Sequence, residues 1–142
     1  MNWVILICFL IYFTYYDIKY RIISNKIIIA CFFIGIVLVF ISGNISLWLS
    51  NITGAFGAFL LFFLASILSK GDIGMGDVKL MTCIGLYTGI YETLNISFIS
   101  IMLSVLVGVF LILIKKANKK TELPFVPFIL LGVIVEMLLL YL

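Results

Sequence analysis

The sequence has no histidine, only two prolines and only three cysteines, and just 11% of its 142 residues are charged. Cys8, Cys31 and Cys83 show no Cys-x-x-Cys spacing, which argues against a disulfide framework and against a zinc site. All three lie within apolar segments and are expected to be small buried residues. Without histidine, and without an evident base for any serine or cysteine, no nucleophile-and-base arrangement stands out. No metal or cofactor is therefore expected.

Apolar residues, in contrast, make up 65% of the chain, and the mean hydropathy is +1.39. A soluble domain of this length would have too little polar surface to cover such an apolar core. The composition predicts a small polytopic membrane protein that consists of one domain, residues 1–142. The first apolar run lacks the basic region and the cleavage site of a secretory signal, so we expect it to be retained as a span.

The apolar runs predict an all-α membrane bundle. An open sheet would leave backbone groups unpaired in lipid, and the runs lack the alternating pattern of membrane strands. Because a crossing needs roughly 17 to 25 residues, we expect about six transmembrane helices, some of them short. They are predicted near residues 1–16, 27–42, 51–68, 78–91, 96–114 and 124–142.

The basic residues alternate from one connection to the next. The connections 43–50 and 92–95 contain no lysine or arginine, whereas the other three contain or border all nine. By the positive-inside rule, both termini lie outside and the basic connections face the cytoplasm. A basic belt against anionic membrane lipid accounts for the net charge of +3, so no nucleic-acid partner is expected. The nine residues are Lys19, Arg21, Lys26, Lys70, Lys79, Lys115, Lys116, Lys119 and Lys120.

The densest cluster of glycine and charge is the segment 70–79, Lys-Gly-Asp-Ile-Gly-Met-Gly-Asp-Val-Lys. Its glycines permit positive φ and the close approach of another part of the chain, so Gly74 and Gly76 are candidate site-shaping residues. Asp77 precedes an apolar run that is short for a full crossing, and we expect it slightly within the membrane boundary. For this segment alone, a hairpin loop in which Asp77 caps the next helix is an equally good explanation.

A second carboxylate, Asp17, ends the first predicted span and is followed by Lys19 and Arg21. Taken alone, it is better explained as part of an interfacial ion pair, which is common and weakly informative. The predicted topology, however, puts Asp17 and Asp77 on the same side of the membrane. Because carboxylates at a membrane boundary are costly and commonly functional, we prefer a joint two-carboxylate site.

Three stretches of the sequence carry a resemblance to a known family. They are Asp17 with Ile23-Ser24-Asn25, the run Gly74-Met75-Gly76-Asp77-Val78-Lys79-Leu80, and Pro124-Phe125-Val126-Pro127-Phe128. With them the whole chain resembles the type IV prepilin peptidases, polytopic aspartyl proteases that include archaeal preflagellin peptidases and share a Gly-x-Gly-Asp-x-Lys signature. The resemblance implies that Asp17 and Asp77 are the catalytic pair. It also implies that the substrate is a pilin-like precursor, whose leader is cut after a glycine at the cytoplasmic face of a prokaryotic membrane.

Two departures from the family pattern matter. Ser24 stands where many members have a proline, which affects only how the second helix begins. The bifunctional bacterial members carry a cytoplasmic segment with paired Cys-x-x-Cys motifs and also methylate the new amino terminus, and the sequence has no such motif. We therefore expect the short form, with cleavage but no methyl transfer. The filament system and the oligomeric state are left open.

Two paired carboxyl groups can catalyse the hydrolysis of a peptide bond by water without a further catalytic side chain. If they share a hydrogen bond, their mutual repulsion keeps one protonated near neutral pH. The ionised partner then takes a proton from water while the protonated one polarises the peptide carbonyl, as in soluble aspartic proteases. Such a pair titrates as a unit, so the sequence does not assign the acid.

Other residues leave room for different functions. A small ion or proton carrier would use Asp77 and Glu136 as relay sites, and a noncatalytic assembly factor for a surface filament would tolerate the removal of either aspartate. Glu136 is expected within the outer half of the bilayer, either neutral and hydrogen-bonded to another helix or facing a cavity. Asp72 is either a solvated loop residue or a contact for the basic part of a leader. Lys79 either tunes the field near Asp77 or snorkels to the interface.

Overall fold

The computed structural model describes residues 2–20, 23–69, 73–114 and 123–142. Within these ranges the chain is helical and contains no strand. The predicted all-α fold with six helices is confirmed for the described part of the chain. The helices are α1 (Asn2–Tyr20), α2 (Asn25–Ile41), α3 (Ile45–Leu68), α4 (Met75–Thr88), α5 (Ile90–Leu113) and α6 (Val126–Tyr141).

Three of the helices are long and apolar enough to cross a bilayer, namely α1 over Trp3–Tyr20, α3 and α5. Helices α2 and α6 are apolar but shorter, with 17 and 16 residues, and α4 has 14. Many large apolar side chains on these helices are exposed, as expected for a surface that lipid covers. Crossings by the shorter helices and the outside location of both termini stay predictions.

Two helices begin about one and a half turns before their predicted starts. Helix α3 starts at Ile45 because Asn44 Oδ1 accepts the N–H of Ser46 at 3.0 Å and caps the helix. Helix α5 starts at Ile90, so the predicted connection 92–95 is wrong and these residues are helical. A single residue, Gly89, separates α4 from α5, and its φ of +91° is one that favours glycine.

Helices α3 and α4 pack most extensively, and their contact depends on glycine. A Cβ placed on Gly54 would lie 2.6 Å from the carbonyl carbon of Gly89 and 2.7 Å from the carbonyl oxygen of Gly85. Ala58, one turn further along α3, is also buried. These small residues thus form a packing surface of the kind that lets helix backbones approach closely.

Helix α4 lies at the centre of the bundle, since it packs against α1, α2, α3 and α5 and buries most of its side chains. Helix α6 packs against α1 and α5.

Cys31 and Cys83 are buried as predicted, but Cys8 is exposed, so the prediction is wrong for that residue. The core includes Leu6, Leu10, Phe13, Met81, Ile84, Val126, Ile129 and Val133.

Candidate active site

Asp17 joins the end of α1 to the start of α6. The first helix continues past its predicted end to Tyr20, which places Asp17 in its last turn. The side chain is 8% exposed, and its Oδ2 accepts the main-chain N–H of Val126 at 3.0 Å. Lys19, considered above as an ion-pair partner of Asp17, donates from Nζ to the Tyr15 hydroxyl at 3.3 Å. Arg21 lies outside the described residues.

The first turn of α6 has one main-chain N–H directed to a group outside the helix. Pro127 has no N–H, while Phe128 and Ile129 donate theirs to the carbonyl of the residue before the helix, at 3.0 and 3.2 Å. The remaining N–H belongs to Val126, and Asp17 accepts it. The carboxylate thus satisfies a donor that the helix itself leaves unpaired, and it lies at the positive end of the helix dipole. Sequence reasoning missed this contact.

Asp77 lies in the first turn of α4, just before the predicted span 78–91, and Gly74 takes the N-cap position. Burial and, to a smaller extent, the negative charge of Asp17 together raise the pKa of Asp77 to about 6. For one charge to act on the other in this way, the two carboxyl groups must be close in space. The fold therefore brings the two predicted aspartates into one region.

Two serines at the end of α3, Ser66 in its last turn and Ser69 at its C-cap, hold the segment that leads to Asp77. Ser66 Oγ donates to the carbonyl oxygen of Ile73 at 2.8 Å, and Ser69 Oγ accepts the N–H of Ile73 at 3.3 Å. Both main-chain polar groups of Ile73 are thereby bound to α3, one residue before the N-cap of α4. Sequence reasoning missed both serines, whose only signal is their polarity on an apolar helix.

The two glycines of the signature have different surroundings. A Cβ on Gly74 would lie 3.7 Å from Asp77 Oδ2, which is ordinary contact. A Cβ on Gly76 would lie 3.3 Å from Cβ and Cδ1 of Ile23, which is tight. Gly76 therefore permits the close approach of the segment before α2, and Gly74 lies beside the carboxylate. Their site-shaping roles stay predictions.

A cavity of about 410 Å³ reaches Asp77. Its surface is mostly apolar, and within the described part of the chain Asp77 is the only ionisable residue that lines it. An apolar group can thus be held next to a carboxyl group. The lining residues are Leu61, Phe62, Ala65, Ile73, Asp77, Ile101, Ser104, Val105, Leu123, Phe125 and Phe128.

Comparison with known sequences identifies the family. The sequence model of the type IV leader peptidase family matches residues 4–113, a stretch that includes both aspartates. The chain belongs to the type IV leader peptidase family. It is also 29% identical over 136 residues to the prepilin leader peptidase/N-methyltransferase of Bacillus subtilis (strain 168). That match covers 95% of this chain and 54% of the relative, so the chain spans about half the length of the curated relative that it matches.

No solved structure matches this chain. The family that the sequence motifs predicted is nevertheless confirmed by the family match.

In this member of the type IV leader peptidase family, two of the resembling stretches meet, because Lys79 Nζ donates to Asn25 Oδ1 at 3.0 Å. This bond ties α4 to the first residue of α2. The proposed effect of Lys79 on Asp77 stays a prediction, and Asp72 lies outside the described residues.

Besides Asp17, the described part of this family member has one more buried carboxyl group, Glu136 of α6. Glu136 is 4% exposed, and its Oε1 accepts a hydrogen bond from Asn95 Nδ2 at 3.0 Å. The expectation that Glu136 is hydrogen-bonded to another helix is thus confirmed, since Asn95 belongs to α5. In the described ranges no three His, Cys, Asp or Glu side chains group as metal ligands.

Proposed function

We propose that this chain is a membrane-embedded aspartyl endopeptidase that removes the leader of pilin-like precursors at the cytoplasmic face of a prokaryotic membrane. Asp17 and Asp77 are the proposed catalytic pair. The observation that carries the proposal is the charge of Asp17 acting on a half-buried Asp77, in a chain of the type IV leader peptidase family. The substrate class is proposed from the family and from the relative in Bacillus subtilis, a prepilin leader peptidase/N-methyltransferase.

The surroundings of the two aspartates favour different roles in the reaction. The N–H of Val126 at a helix N-terminus stabilises a negative charge on Asp17, so Asp17 is the base. Asp77 borders a mostly apolar cavity, which favours its neutral form, so Asp77 is the acid. This assignment goes one step beyond the sequence, in which the two aspartates are equivalent.

The reaction then follows with all protons accounted for. Asp17 takes a proton from water, the water oxygen adds to the carbonyl carbon of the scissile peptide, and Asp77 gives its proton to the carbonyl oxygen. The tetrahedral intermediate collapses when Asp17 returns its proton to the amide nitrogen and the C–N bond breaks. One hydroxyl proton of the intermediate passes to Asp77, so both aspartates regain their starting states.

Methyl transfer is not part of the proposal. The sequence has no Cys-x-x-Cys motif. The test is to incubate the purified protein with a pilin-like precursor and the methyl donor S-adenosylmethionine and to analyse the product by mass spectrometry. We expect a precursor shortened by its leader and bearing no methyl group. Ion flux in proteoliposomes without any cleavage would favour the carrier instead.

The rate of cleavage is expected to fall as the pH rises through about 6. Asp77 must be protonated to act as the acid, and burial together with the charge of Asp17 raises its pKa to about 6. Above that pH, kcat/KM should decrease about tenfold per pH unit. The measurement is kcat/KM from about pH 5 to about pH 8 at constant ionic strength, and a flat profile over this range would contradict the assigned role.

Removing the N–H of Val126 is expected to slow the reaction. Replacing Val126 by its α-hydroxy acid analogue turns the amide into an ester, which deletes the donor to Asp17 and keeps the side chain. Because hydrogen bonds to charged groups contribute about 1.5–3 kcal/mol, we expect kcat to fall about ten- to a hundredfold. The same ester at Ile129 deletes an N–H bonded within the helix and serves as control. Equal losses at both positions would exclude a special role for Val126.

A further inference from the structure

The cavity at Asp77 is a groove between α3 and α5, lined from α3 by Leu61, Phe62 and Ala65 and from α5 by Ile101, Ser104 and Val105. We propose that the apolar helix of the membrane-bound precursor docks in this α3–α5 groove, and that the scissile peptide reaches Asp77 from its end. The inference rests on the proposed function and adds the surface by which the substrate enters.

The α3–α5 groove opens on the outer surface of the bundle. Three of its lining residues, Leu61, Ile101 and Val105, are 41%, 43% and 55% exposed, while Phe62 at its floor is 3% exposed. Both walls belong to helices long and apolar enough to cross a bilayer. In lipid, such an opening is reached from the side, by a partner that is itself in the membrane.

The chemistry of the groove fits an apolar helix. Its polar lining residues are Ser104 and Asp77, and Ser104 Oγ donates to the carbonyl oxygen of Ile101 at 2.8 Å, within its own helix. Asp77 is thus the one carboxyl group along the described lining. Ala65 and Ser104 are small, and small residues let a partner helix approach closely. A helix lying here would have its end next to the carboxyl group that is proposed to act on it.

A second groove provides a comparison surface. It is slightly larger, about 440 Å³, and is also apolar, with Phe32, Trp48 and Phe56 among its lining residues from α2 and α3. No ionisable residue of the described chain lines it. An apolar segment bound there would not meet either aspartate through that groove. Because Asp77 lines the α3–α5 groove and not the second groove, the substrate is assigned to the α3–α5 groove.

Narrowing the groove tests the proposal with two substrates. Val105→Trp is expected to lower kcat/KM for the membrane-anchored precursor at least about tenfold, because binding energy from the apolar helix is lost. For a soluble peptide with the same cleavage junction but no apolar helix, kcat/KM should fall by a clearly smaller factor, so the preference for the anchored precursor is reduced. Val37→Trp is the matched control, since Val37 is 53% exposed on α2 and does not line this groove.

Crosslinking locates the precursor directly, even if the soluble peptide is cut too slowly to measure. The photoreactive residue p-benzoylphenylalanine is placed at position 105 or 37 in an Asp77→Asn background, and the expected result is a crosslink to the apolar helix of the precursor from position 105 alone. Equal crosslinking from both positions, crosslinks at 105 to lipid alone, or normal cleavage of the anchored precursor by Val105→Trp would overturn the docking site. Failure of the wild type to cut any precursor would instead overturn the proposed function.

Discussion

Asp17→Asn and Asp77→Asn are each expected to abolish leader cleavage, with kcat at least about a thousandfold below the wild type. Asparagine has nearly the size of aspartate but can neither take a proton from water nor give one to the carbonyl oxygen. Because the two groups act as a unit, the double variant should be no worse than either single one. The measurement is single-turnover cleavage of a pilin-like precursor, followed by mass spectrometry.

The buried carboxyl group of Glu136 supplies the control for this experiment. Glu136→Gln removes an ionisable group but leaves an oxygen that can accept the hydrogen bond of Asn95. If the protease proposal is right, this variant cleaves normally. If the protein were an ion or proton carrier, Glu136→Gln would impair flux instead. Retained processing in both aspartate variants would end the aspartyl protease proposal, and circular dichroism of each variant checks that its helices persist.

Gly54→Ala is expected to destabilise the bundle by about 1–3 kcal/mol and to reduce cleavage with it. The added methyl group would lie 2.6 Å and 2.7 Å from backbone atoms of Gly89 and Gly85, and backbone cannot move aside as a flexible side chain can. Helices α3 and α4 must then separate, and α4 carries Asp77. The free energy of unfolding can be measured by titration with a denaturing detergent in mixed micelles.

The same substitution three residues along α3 serves as the matched control. At Gly57 a Cβ would meet only Cδ1 of Ile90, at 3.7 Å, so Gly57→Ala should be tolerated. Alanine also has a higher helix propensity than glycine by about 0.8–1 kcal/mol, which would favour both variants if packing were irrelevant. An unchanged or increased stability of Gly54→Ala would therefore show that the close contact of α3 with α4 is not limiting.

The helices were predictable from the sequence because their apolar runs must satisfy every backbone group internally in lipid. The starts of α3 and α5 were not predictable, because polar residues near these starts were assigned to the connections between spans. Thr93 donates its hydroxyl group to the carbonyl oxygen of Gly89, one turn earlier, and Asn95 bonds to Glu136. Once these side chains find partners inside the protein, the helix can begin before the apolar run does.

The two aspartates could be identified from the sequence as candidate catalytic residues. Carboxyl groups at the ends of apolar segments are rare, and they can perform the reaction themselves. The main-chain groups that hold Asp17 and the start of α4 could not be identified from the sequence in the same way. The N–H of Val126 and the two main-chain groups of Ile73 leave no mark in the residue pattern, although they hold Asp17 and the start of α4 in place. Backbone partners depend on the folded path of the chain, which only the structure gives.

The direct turn at Gly89 limits the length of α4. With 14 residues the helix is about 21 Å long, against a hydrocarbon thickness of about 30 Å. If α4 crosses the membrane as predicted, this mismatch must be met by local thinning of the bilayer or by snorkelling of flanking residues. Acyl-chain length in the host membrane would then control how readily water reaches the proposed catalytic pair, without any change in the amino-acid sequence.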